Sequence, residues 1–225
     1  DMTPADGIMA DIDVMEALGK KKVTVMLSDS TNSGKAGKCI SEKKVGESID
    51  ELVRDAKGRI VIATFSSLIG RMQQILDAAK KYDRKVFLSG RSMVRNFEVA
   101  EKLGFLKFPK GMVRELRRAK KQADAKNALI LSTGSQGETM AALTRMAMNQ
   151  HAQLKLHKND TIVFSSSAIP GNEGALMAVM NELAKKGVNI ITNKHMDVHT
   201  SGHGYAEELQ MMLNLIKPKY FVPVH

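Results

Sequence analysis

Histidines and small hydroxyl residues cluster near the end of this 225-residue chain. The segment His199-Thr200-Ser201-Gly202-His203-Gly204 places a hydroxyl group and a glycine between imidazoles, an arrangement suited to moving protons and holding phosphate. After an amphipathic segment, the apolar run Tyr220-Phe221-Val222-Pro223-Val224 ends at His225, where a strand would present a metal ligand. A lone histidine at a strand end is more often structural than a ligand, so both interpretations of His225 stay open.

A second arrangement of metal ligands is offered by Asp197, His199 and His203. Their spacing permits a small metal site, but the glycines at 202 and 204 favour a loop without a fixed helical face, which speaks against it. We assign the remaining histidines to the surface or to packing: His151, His157 and His195.

Five apolar runs are each followed by small polar residues that could hold phosphate. These loops are 28–32, 64–67, 89–92, 132–138 and 165–167. In a parallel sheet they would all lie at the carboxyl ends of the strands, where ligands bind. Serine, threonine and glycine there would let backbone N–H groups face an anion, although each loop alone is more often a simple helix cap. Arg91, between Gly90 and Ser92, could make a bidentate contact to a terminal phosphate.

The elements that must position these loops alternate between strands and helices. Predicted strands are 23–27, 59–64, 85–89, 128–132, 161–165, 188–192 and 219–224. Apolar residues at helical spacing predict helices around residues 45–56 and 68–79, and glycines mark helix ends at Gly58, Gly104 and Gly187. This order predicts an α/β fold with a mostly parallel βα sheet that is covered on both faces.

Composition points to a basic protein of a reducing compartment. Lys and Arg outnumber Asp and Glu by 34 to 24, a net charge of +10 that favours a polyanionic partner, although many basic proteins carry such a charge only for solubility. The single cysteine, Cys39, excludes an intrachain disulfide and fits a cytoplasmic location. No run approaches the length of a membrane span, so no membrane association is predicted.

Two further segments have competing interpretations. Residues 107–126 carry eight basic side chains, which could contact an RNA backbone, but a solvated helix or connector is favoured. The segment Asn32-Ser33-Gly34-Lys35-Ala36-Gly37-Lys38-Cys39 faintly echoes a nucleotide-binding P-loop. It has Asn32 and Cys39 where that motif needs glycine and a hydroxyl residue, and a helix start is predicted only at Ser41, so this class is disfavoured.

Several segments, in order along nearly the whole chain, resemble the ribonuclease J family of β-CASP metallo-β-lactamase-type ribonucleases. The matching segments are Asp1-Met2-Thr3-Pro4, Leu27-Ser28-Asp29-Ser30-Thr31-Asn32, Ala63-Thr64-Phe65-Ser66-Ser67, Gly90-Arg91-Ser92-Met93, Thr133-Gly134-Ser135-Gln136-Gly137-Glu138, Phe164-Ser165-Ser166-Ser167, Ile169-Pro170-Gly171-Asn172, the 199–204 motif and Ile216-Lys217-Pro218-Lys219. Each is weak alone, but their collinear order is highly specific. The resemblance implies a β-CASP domain at 40–185, flanked by parts of a metallo-β-lactamase αββα fold at 1–39 and 186–225.

The resemblance also assigns roles to individual residues. His203 resembles the histidine that contacts the scissile phosphate and protonates the leaving oxygen, with Asp29 orienting it, and His225 resembles a metal ligand. The implied RNA- or phosphate-binding residues are Ser66, Ser67, Leu68, Ile69, Gly90, Arg91, Ser92, Ser135, Gln136, His199, Thr200, Ser201, Gly202 and His203. The pocket for an RNA 5′-monophosphate is expected at Gly90, Arg91 and Ser92.

Two departures from the family pattern affect these expectations. The family's Phe-Ala-Ser-Asn-Ile-His is Phe65-Ser66-Ser67-Leu68-Ile69-Gly70 here, which puts side-chain contacts at that edge in doubt. The His-x-His-x-Asp-His motif, the next histidine and the bridging aspartate are absent. The chain is therefore expected to be part of a larger enzyme, and it cannot by itself build the family's two-zinc site.

The implied function is zinc-dependent hydrolysis of RNA phosphodiesters, by 5′→3′ exonuclease and endonuclease action in RNA maturation and decay, including rRNA processing. The implied partner is RNA, preferentially 5′-monophosphorylated, and the intact enzyme is expected to be a cytoplasmic homo-oligomer (dimer or tetramer), with this chain alone inactive. The alternative is a non-catalytic basic module that clamps RNA. A relative that acts on DNA is a third, less favoured interpretation.

Overall fold

The computed structural model describes residues 3–4 and 7–225, so Asp1 and Met2 of the first matching segment lie outside the described residues. The chain divides into two compact units, Lys44–His199 and Asp1–Lys43 together with Thr200–His225. The domain boundaries predicted at 39/40 and 185/186 stay a prediction; the units divide four and fourteen residues later. Residues 186–199 stay with the larger unit because a strand within them joins its sheet.

The larger unit is built on a six-stranded sheet in which every strand pair is parallel. The strands are β2 Ile60–Ala63, β3 Lys85–Ser89, β4 Val113–Glu115, β5 Ala128–Ser132, β6 Thr161–Phe164 and β7 Asn189–Ile191. Their order across the sheet is β4-β3-β5-β2-β6-β7. The helices are α2 Glu42–Asp55, α3 Ile69–Lys81, α4 Arg91–Lys102, α5 Ala142–Ala147 and α6 Glu173–Lys185.

Helices cover both faces of this sheet, as the sequence predicts. Leu129 and Leu131 of β5 pack into a core with buried residues of α2, α3 and α4, whereas Ala128 and Ile130 pack into a second core with residues of α5 and α6. The central strands are apolar on both sides because successive side chains point to opposite faces and both faces are buried. The α/β fold class is confirmed.

The strand predictions for this sheet hold to within two residues in length. The bounds of β3 and β5 match the prediction, and β2, β6 and β7 are shorter by one or two residues. β4 was not predicted, because three residues with an arginine at their centre give no apolar pattern. In the basic segment 107–126, β4 is followed by two 3₁₀ turns, Leu116–Arg118 and Gln122–Asp124, in keeping with a connector.

The smaller unit contains a two-stranded parallel sheet, β1 Val25–Asp29 and β8 Tyr220–Val224, with helices α1 Ile12–Lys20 and α7 Ala206–Ile216. β1 starts two residues later than predicted, and a turn in which Lys22 has a positive φ of 57° precedes it. The prediction that all five polar loops share one sheet edge is wrong for 28–32, since β1 pairs with β8 in this separate sheet. Among residues 3–4 and 7–225, no helix is long and apolar enough to cross a bilayer.

Candidate catalytic site and phosphate-binding loops

Asp29, His203 and His225 come together in the smaller unit. Asp29 is the last residue of β1 and pairs in register with Val224, so His225 directly follows its partner across the sheet. The Nδ1 atom of His203 lies 3.1 Å from Oδ1 of Asp29, and the rings of His203 and His225 stack with centroids 5.2 Å apart. Potential ligand atoms of the three residues all lie within 4.8 Å of one another. Two predicted catalytic residues and the predicted metal ligand therefore share one site.

Thr31 connects these groups and was not predicted as a site residue. Its hydroxyl donates to Oδ1 of Asp29 at 2.7 Å and lies 3.1 Å from Nδ1 of His225. This hydroxyl hydrogen bond is the largest cause of a lowered pKa at Asp29; burial opposes it, and the Thr31 amide and His203 add to it. With Asp29 ionised, Nδ1 of His203 is the donor. The Thr31 hydroxyl donates its hydrogen to Asp29, so the Thr31 oxygen accepts a hydrogen bond from Nδ1 of His225. The Nε2 atom of His225 then carries no hydrogen, and its lone pair is available to a metal ion.

The loop that carries His203 is held by Asn32. Its side-chain amide donates to Oγ of Ser201 at 3.0 Å and to the carbonyl oxygen of His203 at 3.2 Å. Ser201 Oγ also accepts from the backbone N–H of His203, and the Thr200 hydroxyl donates to the carbonyl of Ile40 at 2.6 Å. These hydrogen bonds hold the loop of residues 200–203 through Thr200, Ser201 and His203, and its contact with phosphate stays a prediction.

Cys39 packs against the same loop. Its thiol donates to the carbonyl oxygen of His203 at 3.1 Å, and its backbone N–H donates to the carboxylate of Glu208. Burial and the hydrogen bond with Glu208 raise the pKa of the Cys39 thiol to about 11. The residue is therefore a protonated structural contact at neutral pH.

His199 lies in the larger unit and is buried. Burial, together with the charge of Arg71, lowers its pKa to about 4, so the ring is neutral at physiological pH. Arg71 donates to Oγ of Ser165 at 2.6 Å and to the carbonyl oxygen of Val198 at 3.1 Å, which fixes the backbone immediately before His199. Within the described residues, Asp29, His203 and His225 are the one group of three with ligand atoms this close, so the alternative with Asp197 and His199 is not such a group.

Four of the five predicted polar loops follow neighbouring strands β3, β5, β2 and β6 at the carboxyl edge of the larger sheet. After β2, the carbonyl and hydroxyl oxygens of Ser66 accept from the side chain of Asn96, and α3 begins at Ile69. Leu68, which caps that helix, offers it no side-chain hydrogen bond. Ser66, Ser67, Leu68 and Ile69 thus form the turn into α3, and their contact with RNA stays a prediction.

Ser135 and Gln136 of the loop after β5 are buried and joined to the loop after β6. The Gln136 side chain donates to the carbonyl oxygen of Ser167 at 2.7 Å and accepts from the N–H of Ile169 at 2.8 Å. The Ser135 carbonyl accepts from the hydroxyl of Ser166 at 2.9 Å. The Gln136 side chain therefore stabilises the arrangement of two loops, and its contact with RNA stays a prediction.

Gly90, Arg91 and Ser92 line a cavity of about 520 Å³ at the start of α4. Gly90 has a φ of 109°, and a Cβ atom there would lie 2.5 Å from Oγ1 of Thr133, so only glycine fits. The first turn of α4 has no side-chain cap, which leaves its N–H groups to other partners. This position is a suitable anion site.

Two family models match the chain. Residues 57–183 match the family model described as "Ribonuclease J, beta-CASP domain", and residues 177–225 match "Zn-dependent metallo-hydrolase RNA specificity domain". Both domains belong to the metallo-β-lactamase superfamily, so the chain belongs to the β-CASP class within it. Within that class, the chain belongs to the ribonuclease J family.

Curated relatives match the chain from end to end. Ribonuclease J 1 of Streptococcus pyogenes is 46% identical over all 225 residues, which cover 40% of that protein. Ribonuclease J of Corynebacterium glutamicum is 44% identical, and the chain covers 31% of it. Ribonuclease J of Helicobacter pylori is 42% identical, with 32% covered. The chain thus spans less than half the length of these relatives.

Proposed function

We propose that this chain supplies part of the active site of a zinc-dependent ribonuclease that hydrolyses RNA phosphodiester bonds. The observation that carries the proposal is the hydrogen bond between Nδ1 of His203 and Asp29, beside the ring of His225. Such a pair holds one tautomer of the imidazole and leaves its Nε2 atom to exchange a proton with a bound substrate. The family to which the chain belongs supports the same chemistry.

In this mechanism His203 is the general acid. Asp29 keeps the proton on Nδ1, and Nε2 delivers a second proton to the oxygen that leaves the scissile phosphate. Thr31 keeps Asp29 ionised through its hydroxyl hydrogen bond, so Asp29 orients the ring without competing for its proton. Asn32 and Ser201 hold the loop, which places the backbone of residues 200–202 beside the phosphate.

The residues present suit a zinc ligand set, because imidazole nitrogen and carboxylate oxygen are preferred donors for this metal. His225 would hold zinc through Nε2, since Nδ1 is engaged by Thr31. Two zinc ions, when bound in the intact enzyme, would supply an activated water and neutralise charge on the phosphate. The further ligands of that centre would come from outside this chain.

We also propose that the enzyme recognises RNA through its 5′-monophosphate at Gly90, Arg91 and Ser92. End recognition would favour 5′→3′ exonuclease action, and binding away from an end would permit internal cuts. The net charge of +10 supports RNA as the partner. From the family resemblance, we also expect the enzyme to be a cytoplasmic homo-oligomer, either a dimer or a tetramer, that acts in RNA maturation and decay.

The test expresses this chain within a protein of the length of its curated relatives, adds zinc, and supplies end-labelled RNA with a 5′-monophosphate or a 5′-triphosphate. We expect mononucleotide release that favours the monophosphate. Tight binding of RNA without cleavage would instead support a non-catalytic clamp, and cleavage of DNA alone would redirect the assignment to the DNA-acting relatives.

A His203→Ala variant in the same protein tests the acid directly. We expect cleavage to fall by roughly 10²–10⁴-fold, the range for loss of a general acid, while bound zinc is unchanged. A matching loss of zinc, measured by metal analysis, would mean that His203 is a ligand and not the acid. Arg91→Ala is expected to reduce the preference for 5′-monophosphorylated RNA and to spare internal cleavage.

A further inference from the structure

A lysine lies at the first residue of every strand of the six-stranded sheet, or no more than three residues before it. Because all these strands are parallel, their first residues lie together at the amino-terminal edge of the sheet. In the order β4-β3-β5-β2-β6-β7 across the sheet, the lysines are Lys110, Lys85, Lys126, Lys57, Lys158 and Lys186. Neighbouring strands are about 4.8 Å apart, so the six residues follow a line about 24 Å long, which we call the lysine row.

The charges of the lysine row are available to a ligand. Five of its residues are exposed, and Lys186 is partly exposed. The ammonium group of Lys186 donates to the neutral side-chain oxygen of Asn149 at 2.7 Å. The other five lysines make no side-chain hydrogen bond or ion pair with any residue among 3–4 and 7–225.

Carboxylates at the same edge do not neutralise the lysine row. The loops that lead into the six strands contain three acidic residues, Asp83, Asp124 and Asp160. Asp124 and Asp160 both pair with the buried guanidinium of Arg59. Within the described part of these loops, Asp83 is therefore the single carboxylate outside an ion pair, against six lysines.

The helix ends at this edge do not explain the lysine row. Helices α2, α3, α4 and α6 end here, and the partial negative charge of a helix carboxyl terminus favours basic side chains nearby. Their last turns already contain such side chains: Arg54, Lys80, Lys81, Lys102 and Lys185. The lysine row adds positive charge beyond that requirement.

The middle of the lysine row is held in place by a buried arginine. Arg84 donates to the carbonyl oxygens of Ala56 and Gly58, which lie on either side of Lys57. The same guanidinium donates to the carbonyl oxygen of Lys126 at 3.4 Å. The backbone that carries both lysines is therefore fixed before any ligand binds, which reduces the entropy cost of binding.

A second buried arginine fixes the loop before β6 in the same way. Arg59 pairs with Asp160 and donates to the carbonyl oxygen of Lys155 at 2.7 Å. Lys158 lies between these two contacts along the chain. The two buried arginines thus make the lysine row a preformed surface.

We propose that the lysine row binds the phosphate backbone of RNA at the amino-terminal edge of the sheet, opposite to the polar loops at its carboxyl edge. This inference rests on the proposed function, since it adds a second contact surface for the same class of substrate. Point charges at regular spacing along a line suit a polymer with evenly spaced negative charge, and lysine binds phosphate as a point charge. The 13-residue α3 runs from one edge to the other, so the lysine row is about 20 Å from those loops.

The test measures binding of RNA by a protein of the length of the curated relatives, with a chelator present to prevent cleavage. The probe is a 3′-labelled oligouridylate with a 5′-hydroxyl group, several times longer than the lysine row, and fluorescence anisotropy gives its affinity as salt is varied. The main variant combines Lys57→Gln, Lys85→Gln and Lys126→Gln on three neighbouring strands. The matched control combines Lys20→Gln, Lys21→Gln and Lys22→Gln, because these exposed lysines of the smaller unit give an equal loss of charge.

The main variant is expected to reduce the salt dependence of binding by about 2, as for three lost phosphate contacts on a single strand. At 0.1 M salt this slope corresponds to a loss of affinity of up to about 100-fold. Lys110→Gln with Lys158→Gln should reduce the slope by about 1.4, since two contacts are lost. With zinc restored, mononucleotide release from a 5′-monophosphorylated tetranucleotide should be unchanged, because that reaction does not use the lysine row. Thermal unfolding checks that each variant is folded.

Different failures overturn different statements. If both lysine-row variants bind the long RNA like the control variant, the proposed surface is wrong, while cleavage of the tetranucleotide by the wild type still supports the proposed function. If the main variant also loses cleavage of the tetranucleotide, the lysines are not a separate surface and the proposal fails. If polyglutamate of equal charge displaces the RNA at the same concentration, the surface suits an acidic peptide and the assignment to RNA is wrong.

Discussion

At the amino-terminal edge of the six-stranded sheet, Arg59 and Arg84 are buried and paired. At the carboxyl-terminal edge Arg71 is also buried and paired, whereas three other arginines have no side-chain partner among the described residues. Arg59, just before β2, pairs with Asp160 at 2.5 Å and Asp124 at 2.8 Å, and Arg84, just before β3, donates to four backbone carbonyl groups, one of them that of Ala56. Arg91, Arg95 and Arg145 have no such partners among the described residues. The same side chain stabilises the fold at one edge and is left for a ligand at the other.

This difference suggests a criterion for separating structural arginines from binding arginines: whether the side chain already has hydrogen-bond or ion-pair partners in the protein. Buried polar groups in a protein core are normally satisfied, and the amino-terminal edge follows that rule. Binding sites keep groups unsatisfied until the ligand arrives, at a cost in stability. The predictions below test that contrast.

The largest effect is expected from Asp160→Ala at the amino-terminal edge. Arg59 is 2% exposed, and removal of Asp160 would leave this buried charge with Asp124, which is 55% exposed, as its one remaining carboxylate partner among the described residues, so we expect the free energy of unfolding to fall by up to about 3–5 kcal/mol. Urea denaturation monitored by circular dichroism measures this change. Asp55→Ala is the control, because its pair with Arg54 is solvent-exposed and should contribute less than about 1 kcal/mol. Equal effects of the two variants would contradict the contrast between buried and surface pairs.

His151→Gln, next to Ser89 at the end of β3, should alter the response of the protein's stability to acid. The pKa of His151 is lowered from 6.5 to about 4, so the unfolded chain binds more protons in that interval and the stability that the neutral ring provides is lost as pH falls from 6.5 towards 4. The variant should lose about 2 kcal/mol less than the wild type across this window. His199, whose pKa is also lowered to about 4, keeps part of the acid sensitivity in both proteins.

Urea denaturation midpoints between pH 6.5 and 4 show how steeply the stability of the variant and of the wild type changes with pH. The difference between the two slopes does not depend on any loss of stability that the substitution causes at neutral pH. His157→Gln is the control, because the His157 side chain is 60% exposed. If His151→Gln and the wild type lose stability in parallel, the ring of His151 is not kept neutral by the fold.

The smallest effect is expected from Arg145→Gln at the carboxyl-terminal edge. Because the Arg145 side chain has no hydrogen-bond partner among the described residues, its replacement should change the free energy of unfolding by less than about 0.5 kcal/mol, or increase it slightly. Arg84→Gln, at the other edge, is the comparison and should destabilise clearly. A loss at Arg145 as large as the loss at Arg84 would show a structural role and remove the distinction between the edges.

Much of the fold follows from the sequence, because the central strands are buried on both faces. The runs 85–89 and 128–132 have apolar, buried centres and were predicted with their observed bounds. β4 and α1 were missed for opposite reasons: β4 is three residues long, and α1 lies in the smaller unit with no buried residue. Helical periodicity predicted α2 and α3 because each buries one apolar stripe.

The candidate site was predictable only in part. Asp29, His203 and His225 were expected from the family resemblance, and the register of β1 and β8 explains why Asp29 and His225 meet. Thr31 could have been found locally, because a hydroxyl two residues after an aspartate commonly bonds to it. Arg145 could not, since its significance lies in the absence of a partner, which no sequence pattern records.

The lone cysteine offers a chemical reporter on the candidate site. Alkylating reagents attack the thiolate, and the thiol of Cys39, with its pKa raised to about 11, is almost fully protonated at neutral pH while it contacts the His203 carbonyl. The rate at which Cys39 is alkylated would therefore report how often the loop that carries His203 opens. Because the chain has one cysteine, the label would need no background mutations, and ligand occupancy could be followed as protection from alkylation.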